Sequence, residues 1–254
     1  MVYKEDEEVF FGSTKMPKKD MERKVNSVFN SVAEKYDLMN NLMSLGMHKL
    51  WKRKAIEILY LGQIKNDGLI IDLAAGTCDL GRLIKSREGG RLNLLCSDKN
   101  LNMLNLGRTK MIDQGLISNT TFSCFDALRI PLPDNSVDRV ISAFGLRNFS
   151  DKPEAFSEIY RVLNPGGKCV ILEFSKINSQ KINEIYKLYS KNVIPLMGKL
   201  VANDEDSYKY LINSIENHPD QNGVLSLMEN VGFYKADFIN IFSGLVSIHW
   251  GYKT

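Results

Sequence analysis

The chain has 254 residues, of which 44% are hydrophobic and 25% charged, and its formal net charge is +3. These totals are typical of a folded protein with a sizeable core, and the balance of 33 basic and 30 acidic residues gives no support for nucleic acid as a partner. No apolar run approaches the ~18 residues that a spanning helix needs, and the acidic start of the chain is unlike a secretion signal.

The cysteines and histidines do not indicate a metal centre. None of the four cysteines forms a C-x-x-C pair, and the three histidines, His48, His218 and His249, are scattered along the chain. This pattern is typical of free thiols in a reducing compartment, so the expected localisation is cytoplasmic.

The first 60 residues predict a tail followed by two helices. Residues 1–20 are polar and irregular, which predicts a flexible tail ahead of a single domain over residues 21–254. Apolar residues at helical spacing predict one helix from Met21 and another from about Gly46 to Tyr60. The second helix carries a basic cluster, for which a solvated face is predicted and contact with anionic lipid is the alternative. This cluster consists of Lys49, Lys52, Arg53 and Lys54.

After Gly68, short apolar runs alternate with helical patterns. The runs predict seven strands, at 69–73, 92–96, 121–125, 137–144, 168–174, 233–242 and 244–252. Helices are predicted at 79–85 and 101–114, and a third begins at the capping pair Asp151 and Glu154. The alternation predicts an α/β fold with a doubly wound, mostly parallel, Rossmann-like sheet of seven strands. N-terminal helices precede the sheet, and a helical insertion at about 175–222 precedes its last two strands.

Polar residues follow the first three predicted strands. Gly76 lies in the loop after the first strand, Asp98 ends the second, and Asp126-Ala127 ends the third. Each residue alone is more often a helix cap or a turn former. Together they lie at the sheet edge where such folds bind ligands, with one carboxylate suited to ribose hydroxyls and another to an adenine amino group. The set predicts a pocket for an adenosyl ligand.

A nicotinamide dehydrogenase is the main alternative on this architecture. Its G-x-G-x-x-G fingerprint is absent, because the loop contains only Gly76 and Gly81. Asp79 occupies the region where a pyrophosphate would approach the helix, and its charge favours a positively charged sulfonium ligand instead.

With these residues assembled, the chain resembles the class I methyltransferases, and more narrowly the ubiquinone/menaquinone biosynthesis C-methyltransferase family. The resemblance covers nearly the whole chain from about Val25 to Tyr252. It rests on the stretches VFNSVAEKYDLMNNLMSLGMHKLWK (28–52), DLAAGTCDL (72–80), PLPDNSVD (131–138), FGLRN (144–148), RVLNPGG (161–167), LEFSK (172–176), ANDEDSYKYLINSI (202–215) and the final SGLVSIHWGYK.

The resemblance implies an enzyme that uses S-adenosyl-L-methionine to methylate a ring carbon of a polyprenylated quinol. The acceptor would be a 2-methoxy-6-polyprenyl-1,4-benzoquinol, a demethylmenaquinol, or both. Cofactor contacts of the family map onto Thr77, Asp98 and Asp126-Ala127. A quinol with a long apolar tail implies docking on the inner face of a membrane, over residues 45–60 and 178–200, and a homodimer or a quinone-biosynthesis complex as the assembly.

Three positions depart from the family pattern. Cys78 stands where glycine is common, and its side chain either crowds the cofactor or lies beside it. Ala143 replaces a frequent serine, and Asp126 replaces the usual asparagine.

Arg147, just after the fourth strand, is the candidate catalytic residue. Aromatic carbon is a poor nucleophile, so loss of a proton from a quinol hydroxyl must activate it, and a guanidinium stabilises the resulting charge. A structural ion pair is the alternative role for Arg147.

Other candidates for the acceptor side are less specific. Tyr36, Asp37 and Asn40 are candidates to close over the ring, and His48 and Asp204 are candidate bases. Tyr186 and Tyr189 lie on a helical stripe that forms either a lid over the quinol tail or plain core.

Two other functions remain open. An RNA or protein methyltransferase would use the basic cluster, but FGLRN stands where an N-P-P-Y-type loop would be. A non-catalytic scaffold of a quinone-synthesis complex would bind the cofactor without turnover.

Overall fold

The central sheet of the protein has seven strands and is mostly parallel, as predicted. In the computed structural model, which describes residues 8–11, 14–33, 40–41, 44, 46–88, 90–189 and 205–254, the strand order is β5-β4-β3-β6-β7-β9-β8. The strands are β1 (Glu8–Phe11), β2 (Thr14–Pro17), β3 (Leu69–Leu73), β4 (Asn93–Ser97), β5 (Thr120–Ser123), β6 (Val137–Ala143), β7 (Leu163–Phe174), β8 (Tyr234–Ile241) and β9 (Val246–Tyr252). Strands β3 to β7 pair in parallel, and β9 runs antiparallel between β7 and β8.

Helices cover both faces of this sheet. They are α1 (Lys18–Val32), α2 (His48–Leu59), α3 (Asp79–Glu88), α4 (Leu101–Asp113), α5 (Lys152–Val162), α6 (Gln180–Leu188), α7 (Glu205–Glu216) and α8 (Gln221–Val231). One core cluster joins α2, α3 and α4 to the sheet, and a second joins α5 and α8 to its other face. The prediction of a doubly wound sheet is therefore confirmed. No helix in the described part of the chain is long and apolar enough to cross a membrane.

Local signals set several helix starts. The side chain of Asp151 accepts a hydrogen bond from the Glu154 backbone N–H at 3.0 Å, as the predicted capping pair requires. Asn100 caps α4 in the same way, accepting from the Met103 N–H at 2.9 Å. Because Asn100 closely follows β4, this cap fixes the loop that carries Asp98.

The N-terminal segment differs from its prediction. Residues 8–17 form an antiparallel hairpin of β1 and β2, and α1 begins at Lys18, so a flexible tail over residues 1–20 is wrong for this part. The run Val9-Phe10-Phe11 is β-branched and aromatic, which favours a strand. Because charged residues adjoin this short run, the sequence pattern did not predict a strand here.

One predicted strand begins earlier than expected, and one helix was not predicted. Strand β7 begins at Leu163 instead of at residue 168, because Leu163 already pairs with Val137 of β6. The register then shifts over the Asn164–Gly167 segment, and pairing resumes between Lys168 and Arg139. Helix α8 was not predicted. It is capped by Asp220 and ends at Gly232, whose φ of +106° is the left-handed conformation typical of helix ends.

Candidate active site

The loop after β3 has an unusual backbone conformation. Ala74, Gly76 and Cys78 have φ values of +56°, +54° and +59°, so three alternate residues are left-handed. Asp98, which follows β4, joins this loop to the loop after β4 through two hydrogen bonds. One carboxylate oxygen accepts from the Gly76 N–H at 2.8 Å and the other from the Asn100 N–H at 2.7 Å. Burial raises the pKa of Asp98, although both N–H groups oppose this shift.

A pocket lies at the carboxyl ends of β3, β4 and β5, and we call it the cofactor pocket. Five residues predicted from the sequence line it together: Gly76, Thr77, Asp98, Asp126 and Ala127. Their shared location agrees with the strand-end argument. Their roles as cofactor ligands stay a prediction.

Asp126 has a partner that the sequence did not indicate. Its carboxylate accepts from the Leu128 N–H at 3.0 Å and from Lys99 Nζ at 2.6 Å. Lys99 also donates to Glu22 of α1 at 2.7 Å. The negative charge of Asp126 is therefore shared with a lysine at the rim of the pocket.

Helix α1 closes one side of the cofactor pocket. Glu22, Val25, Asn26 and Phe29 line it. Asn100 Nδ2 donates to Asn26 and, at 2.9 Å, to Asn30, while Ser150 Oγ donates to Glu22 at 2.9 Å. The sequence pattern indicates the amphipathic period of this helix but carries no signal for its place over the pocket.

The pairing of Asp79 with Lys52 was not predicted from the sequence. Lys52 Nζ donates to Asp79 at 2.8 Å, and Arg82 forms a second ion pair with it, so the charge that the sequence analysis offered to a sulfonium ligand is shared with two protein cations. Burial alone would raise the pKa of Asp79, but the two cations outweigh burial and lower it to about 2. Lys52, predicted on a solvated face, is only 7% exposed. His48, Trp51, Lys52 and Ala55 in fact form one buried stripe of α2.

Cys78 lies beside the cofactor pocket and does not crowd it. Its side chain is fully buried in the core, and it packs against α4 where a Cβ atom on Gly107 would approach the sulfur at 2.5 Å. The glycine common at this position in the family suits the left-handed φ. The thiol here fills core space on the far side of the loop.

A second, apolar cavity of about 340 Å³ adjoins the first, and we call it the acceptor cavity. Lys52 and Phe144 line both cavities and mark where they meet. The sequence-predicted residues Asn40, His48, Arg147, Tyr186 and Tyr189 all line the acceptor cavity. Tyr36, Asp37 and Asp204 lie outside the described residues.

A row of aromatic rings runs along the acceptor cavity. The centroid of Trp51 is 6.3 Å from that of Phe144, which is 4.9 Å from that of Phe174. The guanidinium of Arg147 lies 5.7 Å from the Phe174 ring centroid, at one end of the row. Beyond Trp51 of α2 the row continues to Phe242, whose ring centroid lies 6.2 Å from that of Trp51.

Arg147 is held by a buried ion pair with Glu173 of β7. Arg147 Nη1 donates to Glu173 Oε1 at 2.9 Å, and the Arg147 backbone N–H donates to Oε2 at 3.1 Å. The two side chains are 5% and 1% exposed. Arg147 therefore forms a structural ion pair and also lines the acceptor cavity.

We expect Asp72 of β3 to make the stability of the protein depend on pH. Burial raises the pKa of this carboxyl, which accepts from the Gly81 N–H at 2.9 Å, from 3.8 to about 7. A raised pKa means that the folded state binds the extra proton, so this contribution to stability is full below pH ~4 and is lost as the pH rises through about 7. Between pH 5 and 8 the free energy of unfolding falls by about 3 kcal/mol.

We expect Asp72→Asn to remove this pH dependence. Urea unfolding at pH 5 and pH 8 should then show a smaller decrease in the free energy of unfolding than in the wild type. Parallel declines would contradict the assignment.

This strand order, with a pocket at the carboxyl ends of the parallel strands, is typical of the class I methyltransferase fold. A SAM-dependent methyltransferase from Aquifex aeolicus superposes with a TM-score of 0.61 over 86% of this chain and 98% of its own, at 16% identity. At that identity the likeness is one of fold.

The chain belongs to the ubiE/COQ5 methyltransferase family, whose model matches residues 17–253. The Methylococcus capsulatus protein named ubiquinone/menaquinone biosynthesis C-methyltransferase UbiE is 42% identical over 243 residues, covering 96% of this chain and 97% of its own. The protein of the same name from Idiomarina loihiensis is 44% identical over 250 residues, 98% of each chain.

Proposed function

We propose that this enzyme transfers a methyl group from S-adenosyl-L-methionine to a ring carbon of a polyprenylated quinol in ubiquinone or menaquinone biosynthesis, or in both. The observation that supports this proposal is the pair of adjoining cavities. One is lined in part by strand-end acids, and the other is apolar and aromatic. They meet at Lys52 and Phe144, where a donor in one cavity and an acceptor in the other would approach each other.

The cofactor pocket fits an adenosyl sulfonium compound. Asp98 is partly buried just after β4, where its carboxylate suits ribose hydroxyls. Asp126 and Ala127 suit the adenine end, and the left-handed backbone at Gly76 lets the ligand approach the loop. When bound, this cofactor supplies an electrophilic methyl group on a positively charged sulfur.

The acceptor cavity fits a quinol ring. Trp51, Phe144 and Phe174 offer flat apolar surfaces and exclude water from the reacting carbon. Arg147 supplies a fixed positive charge at one end of this row, where it stabilises the negative charge that develops when the quinol ionises. The ion pair with Glu173 keeps the guanidinium in this orientation.

Substitution of Arg147 tests the proposed function. We expect Arg147→Ala to lower methyl transfer to a demethylmenaquinol at least 100-fold, the effect of removing a charge-stabilising donor, while cofactor affinity stays within about twofold. Transfer is measured with methyl-labelled cofactor, and affinity by calorimetry. Arg147→Lys keeps the charge without the planar fork and should recover only part of the activity.

The outcomes separate the alternatives. A variant that retains near-normal turnover would show that Arg147 is only structural. A wild-type protein that binds the cofactor and methylates neither a demethylmenaquinol nor a methoxylated benzoquinol would support the scaffold reading. Transfer to RNA or protein instead would support the other alternative.

The tail of such a quinol also implies a membrane partner. Ile182 and Phe242 line the acceptor cavity and are 42% and 53% exposed, so the cavity opens beside them. Leu50 of α2 and Leu188 of α6 are 60% and 68% exposed. Exposed apolar side chains beside the basic residues of α2 suit peripheral contact with an anionic bilayer at the inner membrane face. A homodimer or a quinone-biosynthesis complex stays an expectation from the resemblance.

Vesicle binding tests this membrane contact. Leu188→Glu should lower co-sedimentation with vesicles of 30% anionic phospholipid several-fold, because it removes apolar surface and adds like charge. Ile112→Glu is the matched control, since Ile112 is 48% exposed but lies on α4, which contributes no residue to the acceptor cavity, whereas α6 contributes Ile182 and Tyr186. Equal binding of both variants and the wild type would contradict the surface that we propose.

A further inference from the structure

Helix α7 lies against the walls of both cavities. Its residues Leu211, Ile212 and Ile215 line the acceptor cavity. The same helix lies against α1, which closes one side of the cofactor pocket, and against the short 3₁₀ turn Leu146–Asn148. No described residue of α7 lines the cofactor pocket itself, so the helix reaches that pocket only through its neighbours.

The turn Leu146–Asn148 faces both cavities. Arg147 lines the acceptor cavity, and Asn148 lines the cofactor pocket. Because the two residues are consecutive, a shift of the turn displaces both of them. Glu173 of β7 holds the Arg147 side, through the backbone N–H and the guanidinium of that residue. The Asn148 side is held by a different element.

Tyr210 of α7 holds the Asn148 side of the turn. Its hydroxyl donates to Asn148 Oδ1 at 2.9 Å, across a separation of 62 residues. Tyr210 is 7% exposed, and burial raises the pKa of its phenol to about 12, so the hydroxyl keeps its proton at neutral pH. A hydrogen bond shielded from water in this way is stronger than an exposed one. It therefore links the position of α7 to that of a residue in the cofactor pocket.

We infer that Tyr210 is a positioning residue that couples the two cavities. A quinol ring packed on α7 holds Asn148 and its turn in place for the cofactor, and a bound cofactor holds α7 in place for the ring. Each ligand then raises the affinity for the other by the same factor, as linkage requires. This inference rests on the proposed function, and it needs no contact between Tyr210 and either ligand.

The coupling is measured with two ligands that do not react. Calorimetry gives the affinity for S-adenosylhomocysteine without and with a saturating short-tailed demethylmenaquinone, whose oxidised ring has no hydroxyl to ionise. We expect the quinone to raise this affinity at least fivefold in the wild type. In Tyr210→Phe, which keeps the ring and loses only the hydroxyl, the affinity without quinone should stay within twofold of wild type. The increase caused by the quinone should fall below twofold.

Two further variants test the hydrogen bond itself. Asn148→Ala removes its other end, so the increase caused by the quinone should fall as it does in Tyr210→Phe, and the double variant should lose no more of it than Asn148→Ala does. Tyr234→Phe is the matched control, because Tyr234 is 54% exposed on β8 and lines neither cavity. It should keep the increase seen in the wild type.

The ratio of the two affinities separates coupling from a purely structural role. If Tyr210 served only the fold, both affinities would fall together in Tyr210→Phe and their ratio would persist. An increase above twofold in Tyr210→Phe, or one below fivefold in the wild type, would overturn the inference. Methylation of a demethylmenaquinol by the wild type is measured separately, so its absence would remove the proposed function instead.

Discussion

Asp98→Ala is expected to weaken binding of S-adenosyl-L-methionine at least 100-fold. The carboxylate accepts from the backbone N–H groups of Gly76 and Asn100, at 2.8 and 2.7 Å, so it joins the two loops that form the cofactor pocket. Hydrogen bonds to a charged group contribute about 1.5–3 kcal/mol each, and the proposed ribose contacts add to that sum. A loss of about 3 kcal/mol corresponds to roughly 100-fold in affinity.

Calorimetric titration measures this loss, and two variants control for it. Asp98→Asn keeps the size of the side chain and one acceptor oxygen, so it should bind the cofactor better than the alanine variant does. Asp126→Ala should lose about tenfold or less, because the Asp126 side chain is 32% exposed and shares its charge with Lys99. Equal losses of cofactor affinity in Asp98→Ala and Asp126→Ala would show that the hydrogen bonds by which Asp98 joins the two loops do not organise the pocket.

The placement of these acids shows how much of the site was predictable. Short apolar runs fix where the parallel strands end, and the carboxyl ends of such strands share one edge of the sheet. Residue order alone therefore placed Gly76, Asp98 and Asp126 in one pocket. The capping signal of Asp151 was also local and was found in the structure.

What the sequence could not provide was tertiary pairing. Lys52 belongs to a basic cluster in sequence, and only the packing of α2 against α3 brings it to Asp79. Glu22 of α1 hydrogen-bonds to Lys99 and Ser150, at sequence separations of 77 and 128, so nothing local reveals that α1 closes the pocket. Glu173 is separated from Arg147 by 26 residues and a helix, and their pairing follows from the parallel register of β6 and β7.

Glu173→Gln is expected to destabilise the protein by about 3–5 kcal/mol, the usual cost of breaking a buried ion pair by removing one charge. Glu173 Oε1 accepts from Arg147 Nη1 and from the Phe174 N–H, both at 2.9 Å, while Oε2 accepts from the Arg147 N–H. A glutamine places an NH₂ group among these donors and leaves the Arg147 charge uncompensated in the core. Urea unfolding at neutral pH measures the change.

The double variant Arg147→Met, Glu173→Leu distinguishes stability from chemistry at the same site. Replacing both partners with apolar side chains of similar size removes the two buried charges together, so we expect it to be clearly more stable than Glu173→Gln alone. If the pair served only the fold, a stable double variant would also methylate the quinol. The proposed role of Arg147 requires that this variant fold, bind the cofactor and still lose at least 100-fold in turnover, because its acceptor cavity then lacks the positive charge that stabilises the ionised quinol.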